Sequence, residues 1–336
     1  MVGALKDASE RFVALTAGGS TAVPFFSNIR QAFRRGEFFA GLFILGFSNG
    51  IFERITQAIA QGTFESAILN TFGISVLVWV ACFIAMSLLL RQPPEPVTRN
   101  DLILGLAITA AAFVPSAKAS WIALTGLGLY GLRCFEAGAP ARRAAFVILA
   151  VTVPMFWSRL VFAMLSDLIL QADAILVSLI VGTERVGNTI GFADNSGYLF
   201  ILPPCSSLAN VSLAVLGWAL FTQALTRRPS LKDVWWCLAA CSAVIVINVT
   251  RIALMGLHPK HFELLHGAIG ASVASFLSLV AIVGINLIRV RGDLFVPKLV
   301  LCGLLILTLW RNAVGTRASM SSAIIQRPGT LRFCAT

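Results

Sequence analysis

Charge is what this chain has least of. Asp, Glu, Lys and Arg make up only 12% of its 336 residues, against 57% hydrophobic, and the mean hydropathy is +0.85. A soluble domain carries about twice that share of charge, so a water-soluble fold is excluded. Histidine is scarcer still: His258, His261 and His266 are all there are, in or beside one connection. There is no HExxH pattern and no cysteine or acidic cluster at ligand spacing beyond Glu263, so no metal site and no cofactor are expected. The seven cysteines (82, 134, 205, 237, 241, 302 and 334) fall mostly inside apolar runs, at no spacing typical of a secreted disulfide framework. Residues 1–36 lack the apolar stretch of a cleavable signal peptide, and Leu5, Phe12, Val13 and Leu15 among polar neighbours suit a segment lying along a membrane surface. There is no internal repeat and no second soluble domain.

What is present is a series of long apolar segments, at roughly 38–53, 67–90, 102–116, 119–133, 144–170, 198–222, 234–257, 266–288 and 298–310. A helix of about twenty residues crosses a hydrocarbon core of about 30 Å. A β-barrel would instead show short alternating segments. The expected fold is therefore all-α, a polytopic integral membrane helix bundle of about eight to nine transmembrane helices. The short stretch Ala174 to Gly182 is too brief to span and is expected to be re-entrant or interfacial. The chain divides into an N-terminal segment (1–37), N-terminal transmembrane helices (38–143), a core (144–290), a last transmembrane helix (291–310) and an irregular basic tail (311–336).

The net charge of +11 is spread loop by loop rather than gathered on one face, so it reads as a topology signal and nucleic acid is not an expected partner. Cationic segments (Lys6 to Arg35; Arg91 and Arg99; Arg133 to Arg143; Arg227 to Lys232; Arg289 to Lys298) alternate with poorer ones: Arg54, Glu53 and Glu65; Lys118; Arg185 with Asp173, Glu184 and Asp194; Lys260. The positive-inside rule places the first set in the cytoplasm. Arg311, Arg317, Arg327 and Arg332 in the tail do not fit a ninth crossing.

With that topology Cys205, Arg251 and His266 share a level near the outer face. Pro203 and Pro204 suit a first helical turn, which would leave Cys205 at a helix start where the thiolate is favoured, with Ser206, Ser207 and spare N–H groups facing a developing oxyanion. An arginine within a span costs about 2.5–3.5 kcal/mol on insertion scales and so usually has a purpose, and Asn248, three residues before Arg251, is placed to orient it. Snorkelling to the outer headgroups is the plainer role for Arg251, and packing for Cys205. Arg159 and Asp167 read as a structural pair. His266, expected to begin a helix, is the favoured acid or base over His261.

Residues of roughly 145–290 resemble the exosortase/archaeosortase family of membrane cysteine transpeptidases. The resemblance rests on Cys205-Ser206-Ser207-Leu208, Asn248-Val249-Thr250-Arg251-Ile252, and Leu265-His266-Gly267 with Gly270, in the family's order. Ser207 stands where the family usually has glycine, and Pro203-Pro204 where bacterial members often have a Glu-Ala-like pair. The resemblance implies Cys205, Arg251 and His266 as a catalytic set. It implies substrates that are exported proteins with a C-terminal motif (PEP-CTERM-like), an apolar helix and a basic tail. It also implies a multi-pass protein of the bacterial inner membrane with its site toward the periplasm. A transporter or polysaccharide-export component binding an anionic substrate through Arg159 and Arg251 is the alternative from a different class.

Overall fold

A computed structural model describes residues 33–114, 116–224 and 231–289, together with 331–334. In chain order the helices are α1 (Arg35–Ala60), α2 (Phe64–Leu69), α3 (Val76–Leu90), α4 (Arg99–Phe113), α5 (Ala117–Cys134), α6 (Pro140–Thr152) and α7 (Ser158–Val181). Strands β1 (Arg185–Val186), β2 (Thr189–Gly191) and β3 (Tyr198–Ile201) come next, followed by α8 (Leu208–Ala224), α9 (Leu231–Leu257), α10 (Phe262–His266), α11 (Ala268–Arg289) and β4 (Leu331–Cys334).

Among the described residues, five helical runs are long and apolar enough to cross a membrane: Arg35–Ala60, Pro140–Val181, Pro203–Ala224, Asp233–Leu257 and Ile269–Arg289. Large apolar side chains such as Leu179 and Trp235 lie about three-quarters exposed on them, a surface that suits lipid better than water. The chain is thus a mostly helical membrane protein. The expected count of eight to nine spans is not reached by these residues. Segment 67–90 breaks into α2, a left-handed turn at Thr71, Phe72 and Gly73, and the 15-residue α3. Segments 102–116 and 119–133 form α4 and α5, which fall short in length or hydropathy, and 298–310 lies outside the described residues.

Contacts divide the chain into two compact units, Met1–Gln57 with Val78–Thr152 and Thr222–Arg228, and Ala58–Leu77 with Val153–Phe221 and Pro229–Thr336. In the first unit α5 and α6 approach closely because glycines face the contact: a Cβ at Gly131 would lie 2.7 Å from that of Ala145. Its centre is ionic. Arg35 donates from Nε and Nη2 to both oxygens of the fully buried Asp101 (2.9 and 3.1 Å) and from Nη1 to Glu95 (3.2 Å). Tyr130 and the Thr98 N–H complete the set on Asp101. Arg35, which reads in sequence as a cytoplasmic loop charge, is instead a buried helix-start residue.

In the second unit α7 follows a π-helical turn, Val153–Trp157, where Pro154 lacks the N–H a regular helix would use. Helix α7 kinks at Leu165 (φ −127°, ψ 24°) and continues to Val181, so Ala174–Val181 is the last stretch of a longer helix rather than a separate short segment. It ends at Gly182 in the left-handed conformation. Segment 198–222 is not one helix either. Its first residues form β3, antiparallel to β2, in a sheet of order β1-β2-β3-β4. Strand β4 runs parallel to β3 with Cys334 in register with Ile201, a regular element in a tail expected to be irregular. Helices α9 and α11 are joined near their remote ends by Arg289 and Asp233 at 2.7 Å.

Candidate active site

Every sequence-predicted site residue lies in the second unit. Pro203–Cys205 form a separate 3-10 turn, Ser206 is extended, and α8 begins only at Leu208. The expectation that Cys205 occupies the first turn of the long helix is thereby corrected. The prolines do start a turn, but it is a single one, and the chain leaves it before the α-helix forms. The N–H groups expected to be spare are already used. Cys205 donates to the Leu202 carbonyl (2.9 Å) and Ser206 to that of Pro203 (3.1 Å). Ser207 donates to Asp173 (3.0 Å), and Leu208 to the Ser206 hydroxyl (3.3 Å). No oxyanion cradle is formed by that turn.

Cys205 itself is buried and disulfide-bonded. A free thiol at a helix start is thus not what the structure holds. Cys82, Cys134, Cys237 and Cys241 are free, which leaves Cys302 and Cys334 of the seven cysteines as candidates for the partner. Linear spacing could not reveal this bond, because pairing depends on the fold.

Helix α9 organises the site. Asn248, buried, donates from Nδ2 to the Cys205 carbonyl (2.7 Å) and to the Ser207 hydroxyl (3.1 Å). It therefore holds the cysteine turn instead of orienting Arg251. One helical turn on, Arg251 donates from Nε to the Leu265 carbonyl and from Nη2 to the His266 carbonyl, both at 3.0 Å. These are carbonyls that the end of α10 leaves without helical partners. Arg251 is thus a positioning residue for the histidine segment, and two of its five donors are committed.

His266 ends the single-turn α10 rather than beginning a helix. Its ring stacks on Phe262 (centroids 5.0 Å apart, planes 11° apart), and Phe262 shares a buried cluster with Cys205, Val249, Ile252 and Ala253. The bend from α10 into α11 is made possible by glycine. A Cβ at Gly267 would sit 2.6 Å from the Glu263 carbonyl oxygen, and one at Gly270 would collide with the Leu265 backbone. His258 and His261 remain on the preceding turn, ring centroids 6.4 Å apart. Among the described residues no group of three or more His, Cys, Asp or Glu is placed to hold a metal.

Asp173 was hidden in the sequence. Grouped with the acids of the following loop, it reads as a surface charge; in the structure it is buried inside α7 and accepts from the Ser207 N–H. A lone acid within Leu170-Gln171-Ala172-Asp173-Ala174-Ile175 was the available signal, since an ionisable residue in a spanning helix marks function by default. An apolar groove of about 390 Å³ runs beside the site, with Val246, Leu254, Ile269 and Val273 along it and Arg251 in its wall. No family model, curated protein or solved structure matches this chain.

Proposed function

We propose that this chain is a membrane-embedded cysteine peptidase or transpeptidase that cleaves a C-terminal sorting signal of exported proteins at the outer face of a bacterial inner membrane, within a bundle of eight to nine spans. One observation carries the reading: α9 binds the Cys205 turn through Asn248 and the His266 segment through Arg251, one helical turn apart. Two segments remote in sequence are thereby tied to one helix, and Asp173 of α7 also holds the Cys205 turn.

The chemistry requires the sulfur as a thiolate, so the disulfide is a resting form. A dithiol reductant exchanges with it, is itself oxidised to a disulfide, and leaves Cys205 and its former partner as thiols. The Cys205 thiolate then attacks the scissile carbonyl, a thioester forms as the C–N bond breaks, and His266 gives its proton to the leaving amine. Water or an acceptor amine, deprotonated by His266, releases the acyl group and restores the thiolate. Arg251 holds the histidine segment, and its uncommitted donors face the developing negative charge. The substrate's apolar helix lies along the groove beside α9 and α11, delivering its motif to the level of Arg251. A transporter that binds an anion at Arg251 is less well supported, because the guanidinium already serves two backbone carbonyls.

The test is processing, in cells, of a co-expressed exported protein ending in a motif, an apolar helix and basic residues. The wild-type chain is expected to cleave it and Cys205→Ala to leave it intact, with a hydroxylamine-sensitive adduct trapped only on the former. Normal processing by Cys205→Ala removes the reading.

A further inference from the structure

A second cavity in the same unit has a different character. It measures about 190 Å³ and is lined by Gly73, Ser75, Asn210, Ser275, Ser278 and Ile282 among others, none of them charged. Ser75 precedes α3 and Asn210 lies in the first turn of α8, whereas Ser278 is ten residues into α11. At 1.5 Å per residue that is about 15 Å along the helix, half the thickness of a hydrocarbon core. The cavity thus extends from helix ends to the middle of a spanning helix. Below it α8 and α11 close together: a Cβ at Gly217 would collide with Ile282.

Ser278 is 95% buried, and its hydroxyl oxygen has no hydrogen-bond partner among the described residues. A serine inside a helix ordinarily satisfies itself on a carbonyl one turn back. Left unpaired, a buried hydroxyl forfeits the hydrogen bonds it made to water, so a partner is favoured. An apolar occupant would leave that cost in place, and a charged one would meet no counter-charge among the lining residues. Serine hydroxyls both donate and accept, so the complementary group is another hydroxyl.

We infer that this cavity is a hydrated site within the membrane-embedded part of the protein, taking an uncharged hydroxyl-bearing molecule, either water or a small polyol. The inference is independent of the peptidase reading and of Cys205. It is tested in the full chain in membrane vesicles, with Ser278→Cys compared with Val280→Cys, whose side chain is exposed on the same helix. Modification by methyl methanethiosulfonate is followed peptide by peptide by mass spectrometry, so the native cysteines do not interfere. Because the thiolate forms readily only in water, Ser278→Cys is expected to react at least about tenfold faster than Val280→Cys. Ser275→Cys, on the same wall, gives the same comparison if Ser278→Cys fails to insert. Slowing of the cavity cysteine, but not of Val280→Cys, by glycerol and not by choline identifies a polyol site. Fast modification unaffected by glycerol identifies water as the occupant. Equal rates at the cavity and lipid-facing cysteines overturn the inference.

Discussion

In the first unit the buried Arg35 guanidinium meets two carboxylates, whereas in the second the half-buried Arg251 guanidinium meets two backbone carbonyls. Asp101 likewise collects Arg35, Tyr130 and a helix cap, while Asp173 reaches a single backbone N–H beside Cys205. The difference follows from which groups each unit leaves to be paired. In the first unit the network gathers at helix starts, where Asp101 caps α4 through the Thr98 N–H and its other partners are side chains, so it closes largely on itself. Where the chain breaks into short turns, backbone groups need partners that lipid cannot supply, and polar side chains are spent on them. Within a membrane irregular backbone is tolerated where it is buried in protein or lines a cavity; the Cys205 turn is buried, and α10 lines the apolar groove through Leu264 and Leu265.

The sharpest way to break this contrast is at Cys205. Under non-reducing conditions its peptide is expected to resist a maleimide completely, and after dithiothreitol to be labelled. Since strand β4 runs with Cys334 in register with Ile201, four residues before Cys205, Cys334→Ser is the substitution expected to leave Cys205 reactive without reductant, and Cys302→Ser is not. In the processing assay Cys205→Ala should lower the rate by about 10⁴-fold or more, as loss of a nucleophile does in other covalent hydrolases. Full labelling of Cys205 without reductant in the wild-type chain would contradict the resting disulfide.

A closed ionic network is tested by opening it. Arg35→Met leaves Asp101 buried beside no cation and is expected to cost about 3–5 kcal/mol, read as a lowered midpoint of thermal unfolding in detergent. The double variant Arg35→Met/Asp101→Asn removes both charges; the amide oxygen accepts from the Thr98 N–H and the amide nitrogen donates to the Tyr130 oxygen, so most of the loss should be regained. Disulfide state and Cys205 labelling should be unchanged in both. A double variant no more stable than the single one would show that the network's contribution is not electrostatic.

Much of the second unit was legible because two physical signals agreed. Hydropathy marked the helices, and with the loop charges it led to the expectation that Cys205, Arg251 and His266 lie near one level; the structure ties those segments together by hydrogen bonds. What was not legible is short and local. Tyr198-Leu199-Phe200-Ile201 is as apolar as the helix that follows, so the strand merged with α8 in the hydropathy pattern, and the hairpin before it was missed. Gly187, left-handed in the two-residue turn between β1 and β2, was the cue to it. The partners of Asn248 and Arg251 were misassigned because helical spacing shows which residues share a face, not which loop comes to meet them. In the first unit, Arg35 and Asp101 lie 66 residues apart and no pattern links them.

A milder substitution probes the backbone-holding role itself. Asn248→Ala deprives the Cys205 carbonyl and the Ser207 hydroxyl of their donor and should cost about 1–3 kcal/mol in thermal stability, more than Asn248→Gln if the longer side chain still reaches.

The smallest expected effect separates Arg251 as a positioning group from Arg251 as a general support. Its fork reaches the carbonyls of Leu265 and His266 together, from Nε and Nη2. Lysine offers one compact ammonium without that geometry, so Arg251→Lys keeps the charge and loses about one hydrogen bond, roughly 1 kcal/mol. If the loss falls on the placement of His266, processing should drop about fivefold while the unfolding midpoint hardly moves, since 1.4 kcal/mol corresponds to tenfold in rate. The pH dependence of processing should change shape as well, because the histidine segment is no longer held at one distance from the sulfur. A shared decline in midpoint and rate with an unaltered pH profile would make Arg251 a structural residue, and the contrast with Arg35 would then lie only in the partners each one chose.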